Sequence, residues 1–184
     1  LLHSDTTLII DSTVSLNNVV VFAKSVIIRN GFRGNCQLFA TDSISIGKNC
    51  RFTYPSCLGI IRLNAPKIIS QAKISVGENA TFNGLIFTRE KKPGSMKPMI
   101  SLSKKDTIRG QIYSQDALAL KDETVIYGNI FTNRFVYQNS FTLYENYLIN
   151  TTFNSKNLSP YYLASPVTPV ASKKKKILQW LEGN

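Results

Sequence analysis

The side chains able to do chemistry are few and scattered. The 184-residue chain has one histidine, His3, so any Ser-His-Asp or Cys-His arrangement would depend on a residue at the N-terminal end, where chains ordinarily fray. Four carboxylates, Asp106, Asp116, Asp122 and Glu123, lie near one another in sequence. Clustered carboxylates are what calcium binding or acid/base work at a glycosidic bond requires. Asp116 and Asp122 equally suit turns, where Asp bonds back to its own main chain, and turn duty is the reading adopted here. Arg109, Lys121 and Arg134 are available as basic groups for a lyase, but no motif ties them together. Cys36, Cys50 and Cys57 are odd in number and lack CxxC spacing, which excludes a disulfide framework and a zinc ribbon. They read as small buried apolar residues, with a Cys50–Cys57 bridge left open. No HExxH, P-loop or GxGxxG occurs. The expectation is a protein that is not an enzyme and holds no cofactor or metal.

Charge narrows the partners. The sequence carries 22 Lys and Arg against 11 Asp and Glu, a formal net charge of +11. That excess favours an anionic surface, whether lipid phosphate, cell-wall polymer or nucleic acid. The run Arg134-Phe135-Val136-Tyr137 sets a cation beside aromatics, yet no RNP, helix-turn-helix or KH signature accompanies it, and nucleic acid is not the expected partner. No apolar run approaches the ~20 residues that a transmembrane helix needs. The chain begins Leu-Leu-His without a methionine. It is therefore expected to be a trimmed or processed product whose upstream signal or anchor has been removed. Asn79-Ala80-Thr81 and Asn150-Thr151-Thr152 are formal glycosylation sequons, relevant only in a eukaryotic source.

The elements that must position these groups repeat. Ile108-Arg109-Gly110-Gln111-Ile112-Tyr113-Ser114 recurs 18 residues later as Ile126-Tyr127-Gly128-Asn129-Ile130-Phe131-Thr132. An earlier copy is Phe82-Asn83-Gly84-Leu85-Ile86-Phe87-Thr88. A second unit, Ile44-Ser45-Ile46-Gly47-Lys48-Asn49-Cys50-Arg51-Phe52, matches Ile74-Ser75-Val76-Gly77-Glu78-Asn79-Ala80-Thr81-Phe82 at an offset of 30. Residues 117–126 keep the same rhythm, with Asp122 in the turn, and Phe32-Arg33-Gly34-Asn35-Cys36 reads as a weaker copy of the glycine motif. Self-similarity of this kind predicts stacked coils. Alternate residues of each strand face inward and Gly or Asn turns the corners. The Ile of each copy is then expected to stand above the Ile of the next. Ile, Val, Phe, Tyr and Thr favour strands throughout. The fold class is all-β, a single-stranded right-handed parallel β-helix, with a β-sandwich as the competing arrangement.

Along the chain, residues 7–10 and 14–22 read as short strands punctuated by Asp11-Ser12 and Asn17-Asn18, and residues 25–29 as a third strand ended by Asn30-Gly31. Residues 54–66 and the Lys- and Pro-rich loop 89–98 interrupt the period. From residue 139 the glycine repeat gives way to Phe141, Leu143, Tyr144, Tyr147, Leu148, Phe153, Leu158, Tyr161 and Tyr162. An open solenoid end needs a cover, so residues 139–164 read as a C-terminal cap; the alternative is a carbohydrate platform of Tyr144, Tyr147, Tyr161 and Tyr162. The domain thus spans residues 1–164. Residues 165–184 form a Pro-containing linker and basic tail, with Lys173, Lys174, Lys175 and Lys176 followed by an apolar end. The expected contacts with an anionic surface are these four lysines and Lys91, Lys92 and Lys97 of the loop. The structural repeat positions are Gly84, Ile86, Gly110, Ile112, Gly128 and Ile130.

A Gly-punctuated β-helix with a basic body and tail resembles the bactofilin group of polymer-forming bacterial scaffold proteins. The segment from Ile108-Arg109-Gly110 to Tyr144-Glu145-Asn146-Tyr147-Leu148 is similar to envelope-associated proteins of the Bacteroides lineage. The resemblance covers roughly residues 74–162 and implies a right-handed parallel β-helix with a structural role. The Lys-rich loop, the aromatic cap and the irregular coil depart from the bactofilin pattern, and a capped end cannot stack freely. The expected function is a non-catalytic scaffold of the bacterial cell envelope, self-associating and bound to a cell-wall polymer or anionic membrane surface. The alternative is a β-helix enzyme or binding protein acting on an acidic polysaccharide.

Overall fold

Alternation of β-branched or aromatic residues with polar ones gives strands along nearly the whole chain. The computed structural model describes residues 1–63, 70–91, 96–139, 142–159 and 162–163. The strands are β1 (Leu2–Ile10), β2 (Asn17–Ile28), β3 (Arg33–Ile46), β4 (Arg51–Arg62), β5 (Lys73–Val76), β6 (Thr81–Glu90) and β7 (Met99–Leu102). They continue as β8 (Thr107–Tyr113), β9 (Ala117–Leu120), β10 (Val125–Phe131), β11 (Arg134–Gln138), β12 (Leu143–Glu145) and β13 (Thr152–Phe153), followed by a 3-10 turn, η1 (Ser155–Asn157). The protein is all-β.

The thirteen strands form one curled sheet in which every described pairing is parallel except β11 with β12. β1 pairs with β2 and β2 with β3, and the fourteen-residue β3 then serves two ladders. Its first part pairs with β4, which leads through β6, β8 and β10 to β13. Its last four residues, Ser43 to Ile46, pair with β5, which leads through β7 and β9 to β11. Side chains from both ladders belong to one hydrophobic cluster, so the sheet closes over a shared interior.

Like residues meet across that interior. Leu38, Leu58, Ile86, Ile112 and Ile130 are successive register partners in one ladder. Ile44, Ile74, Ile100 and Leu118 are successive partners in the other. Phe32, Phe52 and Phe82 stack with ring centroids 5.3 and 5.5 Å apart. The repeat offsets of 30 and 18 are therefore register offsets, seen in Phe52↔Phe82 and Gly110↔Gly128, and the earlier glycine copy joins them through Gly84↔Gly110.

Gly84, Gly110 and Gly128 are not at corners, as the sequence suggests, but inside β6, β8 and β10. Their φ angles of +147°, +145° and +145° are open only to glycine. A Cβ on each would lie 1.8, 1.9 and 1.8 Å from the carbonyl oxygen of Ser56, Gly84 and Gly110 respectively. Gly34 is not a member of this column, because it pairs with Phe52, two residues ahead of the Gly84 position. The pattern apolar-x-Gly recurs there by a different route: Gly34 makes room for the Phe32 ring. Near the N-terminus, Asn17 and Asn18 open β2 instead of breaking a strand, and a register shift between Ala23 and Ser25 bends β2 without ending it.

The corners have their own column. Gly31, Asn49, Asn79, Lys105, Glu123 and Asn150 all adopt positive φ. Each of the first five donates its N–H to a carbonyl of the following corner: Lys48, Glu78, Lys104, Asp122 and Asn150. Asn79 Nδ2 also donates to Asn49 Oδ1 at 2.8 Å. Ion pairs run beside the column, Lys48–Glu78 at 2.8 Å, Lys104–Asp122 at 3.7 Å and Lys105–Glu123 at 3.9 Å, with Asp122 alone half-buried. Glu123 at φ +60° carries a side chain where glycine or asparagine sits more easily. Glu123→Gly is expected to raise stability by about 1 kcal/mol, read as the midpoint of denaturant unfolding. An unchanged or lower midpoint would remove left-handed strain at this corner from the account.

The two ends of the described sheet differ. At the C-terminal end β12 lies antiparallel against β11, and β13 adds two residues to β10. Tyr137, Tyr144 and Tyr147 pack together with centroids 5.5 to 6.3 Å apart, and Phe135 meets Phe153 at 6.3 Å. At the other end β1 pairs with β2 alone among the described residues. The linker and basic tail, residues 165–184, lie outside the described residues, as do Lys92, Phe141 and Tyr161.

Candidate functional site

The outward side chains of the β4–β6–β8–β10 ladder make one lateral face. Strand alternation turns Arg51 and Thr53, Thr81 and Asn83, Thr107 and Arg109, and Tyr127 to the same side, while Phe52, Phe82, Ile108 and Ile126 point inward. Register then stacks like positions. Arg33 is directly opposite Arg51, followed by Thr81 and Thr107. Asn83, Arg109 and Tyr127 form the neighbouring row.

Two irregularities turn this face into a pocket. In β4, three residues lie between Phe52 and Ser56 where β6 has only Asn83 between their partners Phe82 and Gly84. The resulting bulge contains Pro55, which needs no ladder partner there, and pushes Tyr54 out of the face. From the other side, the segment following β13 returns over the ladder through η1. Asn154 accepts from Lys156 N to cap η1. The Tyr162 hydroxyl donates to Gly84 O at 2.9 Å, and its ring lies 5.4 Å from that of Tyr54. Because glycines line β6, β8 and β10 here, no side chain blocks this approach. Burial, with Tyr54 nearby, pushes the Tyr162 phenol up to about 12, so it remains a donor at neutral pH.

A cavity of ≈ 220 Å³ lies between the sheet and this returning segment, a strap that includes Leu158, Ser159 and Tyr162; Tyr54, Asn83 and Arg109 complete its lining. Arg109 sits over the Tyr127 ring, 5.2 Å from its centroid. Among the described residues, no carboxylate lies within ion-pair distance of Arg33, Arg51 or Arg109. The face can therefore offer planar guanidinium donors, hydroxyls and aromatic surface to an anionic ligand.

The carboxylates singled out in the sequence have other partners. Asp106 is fully buried and accepts from Ala80 N at 2.9 Å and Ser103 N at 2.7 Å. Burial pushes it up to about 7 against those two donors. A perturbed carboxyl is a candidate acid or base, but both Asp106 oxygens are turned to main chain and out of a substrate's reach. Asp116 pairs with Arg134 at 3.0 Å and Lys97 at 3.5 Å, and Arg134 also engages Glu145. Asp116 is the main cause that holds the Arg134 guanidinium above its usual range. Asp122 and Glu123 occupy the corner already described. No group of three or more His, Cys, Asp or Glu among the described residues is placed to hold a metal ion. Cys36 and Cys50 are buried, Cys57 is half-buried, and all three are free thiols. Burial pushes Cys36 and Cys57 up to about 12, which leaves them poor nucleophiles.

Several expected groupings are redrawn. Tyr144 and Tyr147 pack against Tyr137, while Tyr162 packs against Tyr54, so they make two clusters instead of a single tyrosine platform. Lys97 is exposed and pairs with Asp116 at 3.5 Å, and Lys91 is exposed. Lys92 and the four tail lysines Lys173, Lys174, Lys175 and Lys176 lie outside the described residues. Sequence reading missed the Arg33–Arg51 pair, whose offset of 18 was visible but whose register depended on moving Gly34 out of the glycine column.

The architecture defines an all-β protein with a curled, mostly parallel sheet and a basic lateral face. No family model matches the chain, and comparison with curated proteins and with solved structures gives no match. Among the described residues no helix is long and apolar enough to cross a membrane.

Proposed function

We propose that the protein is a non-catalytic structural element of the bacterial cell envelope, built as a single-stranded right-handed parallel β-helix that pairs through its N-terminal end. The observation that carries this reading is the asymmetry of the two ends. The last coil is covered by β12, β13 and the tyrosine cluster, whereas the outer edge of β1 has no strand partner among the described residues. β1 is nine residues long, and only His3 and Asp5 in it are ionisable. Natural edge strands usually avoid that combination, because it invites another strand to pair. Leu1, Leu2, Ile9 and Phe22 are exposed beside it.

A second copy docking antiparallel on β1 gives a closed two-fold dimer, and the covered C-terminal ends prevent growth into a filament. The net charge of +11 supports contact with an anionic envelope polymer. Sedimentation velocity across a concentration series tests the pairing: the wild type is expected to shift from monomer to dimer, and Ile9→Lys to remain monomeric. Pelleting with peptidoglycan and with anionic vesicles tests the surface role. A chain that stays monomeric at all concentrations and pellets with neither would overturn the proposal.

A further inference from the structure

The geometry points to the lateral face as a binding site for an acidic polysaccharide, with Arg33, Arg51 and Arg109 reading carboxylates, Tyr127 holding the Arg109 guanidinium, and Tyr54 and Tyr162 supporting a sugar ring. This inference is independent of the pairing through β1. Its first support is an electrostatic cost. Arg33 and Arg51 are direct partners on adjacent parallel strands, exposed, without a carboxylate in ion-pair distance among the described residues. Like charges directly opposite on a sheet destabilise it. The nearby corner column answers each of its lysines with an acid, at Lys48–Glu78, Lys104–Asp122 and Lys105–Glu123. The lateral face leaves its arginines unanswered, and a polyanion lying across the strands removes the repulsion.

The second support is the pocket. Its ≈ 220 Å³ is below the usual ~300–1,000 Å³ of a small-molecule site and suits a single ring of a longer chain. Tyr54 and Tyr162 meet at an interplanar angle of 58°, which leaves a corner for a puckered ring with an apolar face, not a flat slot for a nucleobase. Arg109 enters the same pocket with its guanidinium over Tyr127, a posture that restricts it while its fork of donors stays available to a planar carboxylate. Thr81 and Thr107 stand beside the arginines, and Asn83, whose Nδ2 donates to Phe52 O at 2.8 Å, leaves its amide oxygen as an acceptor, where sugar hydroxyls would need partners.

The third support is spacing. Strands in the ladder lie ~4.8 Å apart, on the order of one pyranose residue along an extended chain. A glycan running across β3, β4, β6 and β8 would place successive sugars over successive strands, carboxylates over Arg33 and Arg51 and one ring in the pocket at Arg109.

Isothermal titration of the full chain with a short oligogalacturonate tests this, with its methyl ester as a matched neutral probe and with polyphosphate and single-stranded DNA as other polyanions. Saturable binding of the oligogalacturonate alone is expected. Arg109→Gln and Arg51→Gln should each weaken it by about tenfold or more, the loss of one charge-assisted contact. Lys73→Gln, on the other ladder, should leave it unchanged. Both arginines are exposed; a melting temperature unchanged for Arg109→Gln, and raised for Arg51→Gln by relief of its repulsion with Arg33, keeps the comparison one of binding. Absence of saturable binding, equal binding of the methyl ester, equal binding of polyphosphate or DNA, or an equal loss in Lys73→Gln would each overturn the assignment.

Discussion

Gly110→Ala is expected to abolish cooperative folding or to lower stability by on the order of 4 kcal/mol, in the range reserved for a few severe mechanisms. Two of those mechanisms act together at this residue. At φ +145° an L side chain is strained wherever it points. Its Cβ would also lie 1.9 Å from the Gly84 carbonyl oxygen and 2.9 Å from the Tyr162 hydroxyl. The carbonyl is main chain of the neighbouring strand, so relief requires β6 and β8 to separate. That would break the ladder in the middle and release the strap. Gly31 separates strain from crowding, since it has φ +79° with nothing within 4 Å of a built Cβ. Gly31→Ala should therefore cost only the ~1–2 kcal/mol of left-handed backbone strain. Urea unfolding of the two variants makes the comparison, and similar midpoints would contradict the close approach of β6 and β8 at the glycine column.

Ile112→Ala is expected to cost ~2–5 kcal/mol, and Ile130→Ala clearly less. Both isoleucines hold the same place in the repeat and are register partners. Ile112 is fully buried, with Ile86 on one side and Ile130 on the other. Ile130 is only partly buried, because β13 covers just Val125 and Ile126 of β10. Truncation at 112 leaves a cavity between two rungs that cannot collapse onto each other; truncation at 130 opens a space toward solvent. Equal losses, read from denaturant midpoints, would mean that the column does not end where β10 loses its cover.

The legible part of this fold was whatever repeats along the chain with a constant residue type. Ile86, Ile112 and Ile130, or Ile44 and Ile74, are alike because each fills the same space one rung further on. Their offsets therefore became register offsets. Gly110 and Gly128 were visible for the same reason, but their cause was not. A glycine needed for a turn and one needed because a carbonyl lies against its Cα look identical in sequence. Lys105 and Glu123 were invisible as corner residues, since neither favours positive φ and only their rung position puts them there. The lateral pocket was the least legible part. Tyr54 reaches it through a bulge that has no residue-type signature, and Tyr162 through a contact 78 residues away from Gly84. Long-range contacts made by a single side chain leave no period to read. The arginines were visible as charge, but the sequence could not separate those paired by acids, such as Arg134, from those left open, such as Arg51.

The most direct test of stacked parallel rungs is a methyl NOESY spectrum of the protein labelled at isoleucine δ1 carbons. Rungs ~4.8 Å apart predict cross-peaks that link Ile86 to Ile112 and Ile112 to Ile130, and a separate series linking Ile44 to Ile74 and Ile74 to Ile100. A β-sandwich of antiparallel neighbours would instead connect isoleucines of strands consecutive in sequence, and the absence of both series would contradict the fold and everything placed on it.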